Sequence, residues 1–144
     1  MRITDVLKGK SIEGIITVRP GLSIREVAQV LADNRIGAAV VSEDGEHVVG
    51  IVNERDIVKA LANGAAALDE PLRQIMETDT LTCHGSDRLE ELATLMTERR
   101  VRHVPVVAEG VLVGLVSIGD IVKSRIEELN HEKSHLENYL NTAP

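Results

Sequence analysis

Gly50-Ile51-Val52-Asn53-Glu54-Arg55-Asp56-Ile57-Val58-Lys59 returns 64 residues later as Gly114-Leu115-Val116-Ser117-Ile118-Gly119-Asp120-Ile121-Val122-Lys123. Each copy is a short aliphatic run, a polar turn and an aspartate that leads into a helix. The recurrence predicts two copies of one small unit. It also marks a corner of the chain where a ligand would sit.

The repeat extends outward from this stretch. At a shift of 65, Ile24, Val27, Ala28 and Leu31 fall on Leu89, Leu92, Ala93 and Met96. Both sets have the i, i+3, i+4, i+7 spacing of one buried helix face. Arg35-Ile36 falls on Arg100-Val101, and Val41 on Val106. Past the turns at Gly45 and Gly110 the shift is 64, so the second copy has lost one residue in its hairpin. Length changes cost least there.

Each copy therefore reads strand, helix, strand, turn, strand, helix. The first strands fall at Thr17-Val18 and Thr82-Cys83. Ser23 with Glu26, and Asp87 with Glu90, give capping patterns at the first helices. Hairpins are expected over 38–53 and 103–117. The predicted fold class is α/β, with small sheets packed on helices and the repeats related by a pseudo-two-fold axis. The repeats span 1–64 and 72–127, and 128–144 is a C-terminal helical extension. One repeat of about 60 residues is marginal alone, so the two are expected to share a core. The last helix carries an interrupted apolar stripe through Ile121, Val122, Ile126, Leu129, Leu136 and Leu140. That stripe fits either packing on its own domain or a dimer contact.

Composition narrows the function. The chain has 144 residues, 43% hydrophobic and 27% charged, which suits a globular domain. Tyr139 is the only aromatic side chain and the formal net charge is −7. Nucleic-acid partners are disfavoured, because they need base-stacking rings or a basic face. No apolar run approaches the ~20 residues of a membrane span. The start, Met1-Arg2-Ile3-Thr4-Asp5, lacks the apolar stretch of a signal peptide. The lone Cys83 rules out an intrachain disulfide and fits a reducing compartment. A cytoplasmic protein is expected.

The doubled Gly-x-x-x-x-x-Asp motif is preceded by Ile36-Gly37-Ala38 in one copy. In the other it is preceded by Val101-Arg102-His103-Val104-Pro105-Val106-Val107. Together these resemble a tandem pair of CBS domains, a Bateman module, of the stand-alone bacterial kind, over about residues 1–125. The resemblance implies a compact α/β module with two clefts between the copies. It implies adenosine-containing ligands such as AMP, ADP, ATP, NAD or S-adenosylmethionine. It also implies a homodimer of modules and a regulatory rather than catalytic role, with an unknown protein partner.

The residues support that chemistry unequally. Asp120 can accept hydrogen bonds from both ribose hydroxyls, at roughly 1.5–3 kcal/mol per charged bond. Ser117 offers a hydroxyl to a phosphate, and Gly119 leaves room for close approach. In isolation Asp120 would read as a helix N-cap. In the family pattern a basic hairpin residue completes the motif, and Arg102 fits that role with a bidentate guanidinium. Adenine is expected against Ile16, Ile36, Gly37 and Ala38 of the other copy. The second cleft pairs Asn53 and Asp56 with a wall from Leu81, Val101, Arg102 and His103. Asn53 stands where Ser or Thr is usual, and Gly37-Ala38 stand where the other copy has Arg102-His103. The first cleft is therefore expected to prefer a phosphorylated nucleoside, and the second to serve a phosphate less well.

Catalysis and metal binding find little support. His131 and His135 lie one helical turn apart without an evident third ligand. Cys83 matches Val18 and reads as core. No glycine-rich dinucleotide or P-loop lysine motif occurs. No catalytic residue, no metal and no required cofactor is expected. An adenine nucleotide is expected as regulatory ligand. The alternative is a ligand-independent structural or protein-interaction module.

Overall fold

The computed structural model describes residues 1–8, 10 and 15–142. Residues 143 and 144 of the expected extension, and 9 and 11–14 of the first repeat, lie outside the described residues. In chain order the elements are α1 (Ile3–Leu7), β1 (Thr17–Val18), α2 (Ile24–Asn34), β2 (Ala38–Val41), β3 (Gly50–Asn53) and α3 (Glu54–Leu61). Two 3-10 turns follow, Ala65–Asp69 and Leu72–Gln74. The chain continues through α4 (Leu89–Arg99), β4 (His103–Ala108), β5 (Val111–Ser117) and α5 (Ile118–Thr142).

The repeat is visible in the pairing. β1 runs parallel to β2, which is antiparallel to β3. In the second repeat β4 and β5 pair antiparallel, and Cys83 bridges Val106 in parallel where β1 would stand. The β4–β5 turn has Glu109 at φ 52° and Gly110 at φ 80°. Positive φ at both central residues is the hairpin geometry that matches strand twist.

The predicted helix faces hold. Ile24, Val27 and Leu31 are buried on α2, and Leu89, Leu92 and Met96 on α4. Ser23 caps α2 by accepting from the Glu26 N–H at 3.1 Å. Asp87 does not cap α4. Its carboxylate turns back to the His84 N–H at 2.8 Å, and Arg88 takes the cap position without a side-chain bond.

The expectation of a single shared core is corrected. The described residues form two apolar clusters, one per repeat, and each is completed from outside its repeat. Ile3 and Val6 of α1 pack with Leu89, Leu92 and Met96 of the second repeat. Leu72, at the start of the second repeat, packs with Ile24, Val27 and Leu31 of the first. Backbone bonds fix both exchanges, with Ile3 N–H to Asp87 C=O at 3.0 Å and Leu72 N–H to Leu22 C=O at 2.7 Å. Repeats too small to bury enough surface alone are thus each closed by a borrowed strap.

The straps also explain the first residue of the doubled motif. A Cβ on Gly50 would lie 2.7 Å from the Glu77 carbonyl oxygen, and one on Gly114 would lie 2.8 Å from Leu7 Cδ2. Both positions face the strap that crosses them.

α5 runs 25 residues and leaves the module. Ile121 is buried, whereas Ile126, Leu129, Leu136 and Leu140 are 52, 51, 64 and 71% exposed. Most of the apolar stripe therefore does not pack on its own domain. No described helix is long and apolar enough to cross a membrane.

Candidate functional site

Two clefts open between the repeats. The first has a volume of about 380 Å³. One side is Ile15, Ile16, Ile36, Gly37 and Ala38 of the first repeat. The other is Val113, Gly114, Leu115 and Ser117 of the second. The structure thus brings Ile16, Ile36, Gly37 and Ala38 together opposite Ser117, whereas Gly119 and Asp120, expected in the same cleft, are not among its lining residues and stand behind Ser117 at the start of α5.

Ser117 and Asp120 form a reciprocal box at the start of α5. The Ser117 N–H donates to Asp120 Oδ2 at 2.8 Å, and the Asp120 N–H donates to Ser117 Oγ at 3.1 Å. The aspartate is therefore the third helical residue of a capping box rather than the cap itself. Asp120 Oδ1 lies outside these bonds. Gly119 is exposed, and a Cβ there would meet only Ser117 Oγ at 3.6 Å, so close packing does not require the glycine.

Lys10 was not foreseen, because it lies outside the repeated positions. Its Nζ donates to Asp120 Oδ2 at 2.6 Å and to the Leu115 carbonyl at 2.7 Å. Burial works to raise the Asp120 pKa, but the bonds from Lys10 and Ser117 outweigh it and the net direction is down. The carboxylate is thus held ionised, with an ammonium already seated on it.

The second cleft has a volume of about 290 Å³. Asn53 and Asp56 repeat the box at the start of α3, with both bonds at 3.0 Å. Burial is the main influence on Asp56 and raises its pKa, and nearby Glu77 pushes the same way against Asn53 and Lys59. Across the cleft stand Arg99, Arg100, Val101 and Arg102 of the second repeat. Lys59 lines it from α3. Leu81 does not line it and instead packs against the second core.

The placement of Arg102 is a correction. Its carbonyl accepts from the Ile118 N–H at 2.8 Å, beside Ser117 as the sequence suggested. Arg102 lines the second cleft, where it was expected beside Val101 and His103, and does not line the first, where it was expected to complete the Ser117 motif. Gly37 makes the matching bond in the first repeat, accepting from the Glu54 N–H at 3.0 Å. The second cleft is consequently not short of cations. Sequence reasoning also missed Arg99 and Arg100. The signal was present in the run Arg99-Arg100-Val101-Arg102, which follows the α4 face directly.

Three residues, Gly37, Ala38 and His103, line both clefts. Burial lowers the His103 pKa, and Lys10 and Arg102 add to this against Asp120 and Glu54. The imidazole is therefore neutral at pH 7 in a wall common to both sites.

Elsewhere, burial, aided by Asp87, pushes the Cys83 thiol up to about 12, consistent with core packing. Asp44, Glu46 and His47 bring ligand atoms within 4.8 Å of one another, all exposed. Asp44 there caps its own hairpin, accepting from the Glu46 and His47 N–H groups at 2.8 Å. His131 and His135 face each other edge-on along α5, with ring centroids 5.1 Å apart.

Two repeats with crossed straps and paired clefts define a known class. Residues 5–63 and 72–127 match the family model of the CBS domain, and the chain belongs to that family as a pair of repeats. Among solved structures it is similar to a CBS-domain-containing protein from Agrobacterium tumefaciens. That match has 42% identity and a TM-score of 0.82, over 87% of this chain and 99% of that one. It is similar to a CBS domain protein from Pyrobaculum aerophilum complexed with AMP, at 36% identity and a TM-score of 0.74, over 83 and 89% of the two chains. It also matches the CBS domain pair of protein MJ0100 in complex with 5′-methylthioadenosine and S-adenosyl-L-methionine. The identity there is 28% and the TM-score 0.77, over 89 and 98% of the chains.

Proposed function

We propose that this chain is a regulatory module that binds an adenosine-containing ligand between its repeats. The observation that carries the reading is the first cleft. It sets an apolar wall of Ile16, Ile36, Gly37 and Ala38 opposite Ser117, whose box partner is the carboxylate Asp120. Its volume of about 380 Å³ falls within the roughly 300–1,000 Å³ usual for small-molecule sites. The ligands in the two similar complexes, AMP and the methylthioadenosine–adenosylmethionine pair, share adenosine. The reading places adenine on the apolar wall and ribose hydroxyls at Asp120, with AMP, ADP, ATP and NAD as the candidate ligands.

Ligand joins residues of both repeats and so favours one relative placement of them. The response equals the ligand's differential affinity for the two placements. We read the exposed stripe of α5 as part of a homodimer surface through which an unknown partner senses that placement. The setting is the cytoplasm, and the reading assigns the module no catalytic residue. One observation favours a ligand-independent structural or interaction role: Lys10 already occupies the carboxylate that ribose needs.

Thermal stability with AMP, ATP, NAD and S-adenosylmethionine separates the two. A ligand at 100 times its dissociation constant stabilises by about 2.7 kcal/mol. Asp120→Ala abolishes that gain if the site is placed correctly. No gain with any of the four supports the ligand-independent role.

A further inference from the structure

We propose that the second cleft recognises polyphosphate and takes a nucleoside di- or triphosphate, whereas the first takes adenosine with at most one phosphate. This rests on the adenosine reading and adds which phosphate chain goes where. It reverses the preference expected from the sequence.

The second cleft is lined by five cationic side chains, Arg55, Lys59, Arg99, Arg100 and Arg102, in a chain whose formal net charge is −7. Cations gathered against the overall balance form a local anion site, strongest where walls exclude water. Guanidinium groups match phosphate oxygens two at a time. Arg99 is held by Asp79 at 3.2 Å, so the remaining four carry the recognition. The lining carboxylates are Glu54, Asp56 and Glu77. Asp56 is the counterpart of the proposed ribose acceptor Asp120, and Glu77 turns to the Asp79 N–H at 3.0 Å.

The first cleft differs in kind. Among the described residues its cations are Lys10 and Arg35, and most other lining side chains are aliphatic. Lys10 is committed to Asp120 and the Leu115 carbonyl. A triphosphate there would find one uncommitted cation. The difference traces to Arg102, Arg55 and Lys59, whose counterparts in the other repeat are Gly37, Gly119 and a Lys123 that does not line the first cleft.

The test is calorimetric titration of the full chain with adenosine, AMP, ATP and inorganic tripolyphosphate at low and high salt. Arg102→Gly installs the residue of the other repeat, and Lys59→Ala removes a second cation. The double variant is expected to bind ATP at least tenfold more weakly, with a clearly smaller change for adenosine and its melting midpoint retained. Tripolyphosphate should compete with ATP, and both should weaken steeply with salt. ATP affinity unaltered by the double variant overturns the proposal. So does a larger loss of ATP from Lys10→Ala than from the double variant. Adenosine binding without preference for ATP sinks this assignment and leaves the adenosine reading standing. Tripolyphosphate binding without adenosine binding sinks the adenosine reading, and with it the assignment of nucleotides to the two clefts.

Discussion

The Lys10 ammonium lies 2.6 Å from Asp120 Oδ2, so the proposed ribose acceptor is closed by an internal cation. The two side chains are 39 and 22% exposed, so the contact is partly shielded. Lys10→Met should release Asp120 to the influence of burial, which raises its pKa. A carboxyl depressed by folding stabilises above its unfolded pKa and loses that contribution as pH falls through the folded value. In Lys10→Met that contribution should therefore shrink, and Asp120 should take up its proton at higher pH than in the parent chain. Carboxyl titration by NMR and acid unfolding check this, and an unchanged Asp120 titration argues against the pair.

Asp120→Ala removes the ribose acceptor and half of the box that starts α5. The box contributes about 0.5–2 kcal/mol to stability. Asp120→Asn keeps an oxygen for the Ser117 N–H and removes the charge. It should recover most of the stability while failing to restore ligand binding. Denaturant titration and calorimetry read the two effects separately.

Arg35 and Arg100 end α2 and α4 in the left-handed conformation, at φ 53° and 56°. Each lines a cleft, Arg35 the first and Arg100 the second. Glycine is the usual residue at such helix ends, and other residues there cost about 1–2 kcal/mol. Arg100→Gly should raise stability by about 1 kcal/mol while weakening ATP. A variant both less stable and equally good at binding contradicts the idea that strain is kept for function.

The borrowed straps make a stability prediction. Ile3 is 0% exposed within the second core. Ile3→Ala should cost about 2–5 kcal/mol and should first expose amide hydrogens of α4 and β4 rather than those of α2. Gly50→Ala should cost more than Gly114→Ala, because the obstacle is a backbone carbonyl in one case and a flexible leucine tip in the other.

His103 supplies a pH dependence. Its folded pKa lies below the usual histidine value, chiefly through burial. A depressed group stabilises fully above its unfolded pKa, about 6.5, and that contribution fades as pH falls below it. His103→Gln should flatten stability between pH 7 and 5. Polyphosphate in the adjoining cleft should raise the imidazole pKa, so binding should take up protons in acidic buffer.

Much of this was legible in the sequence. The doubled motif gave the repeats, and the period of Ile24, Val27 and Leu31 gave the buried helix faces. The apolar wall of Ile16, Ile36, Gly37 and Ala38 followed from the resemblance to a CBS-domain pair, which sets one repeat against the other's helix start. The same pairing puts the Arg102 side chain opposite Asn53. Its backbone stays beside Ser117, and that proximity along the hairpin suggested a first-cleft role in addition to its expected place in the second-cleft wall. Lys10 and the α1 strap belong to no repeated position, so no internal comparison could reveal them. Arg100 is visible as a residue but not as a left-handed one, because its counterpart Arg35 shares the same exception.

The most direct test of the central claim is calorimetric titration of the intact chain with AMP, beside Asp120→Asn. A saturable heat of binding, absent in the variant with its fold retained, is the predicted result. No saturable heat with AMP, ATP, NAD or S-adenosylmethionine, or equal binding by Asp120→Asn, would contradict it.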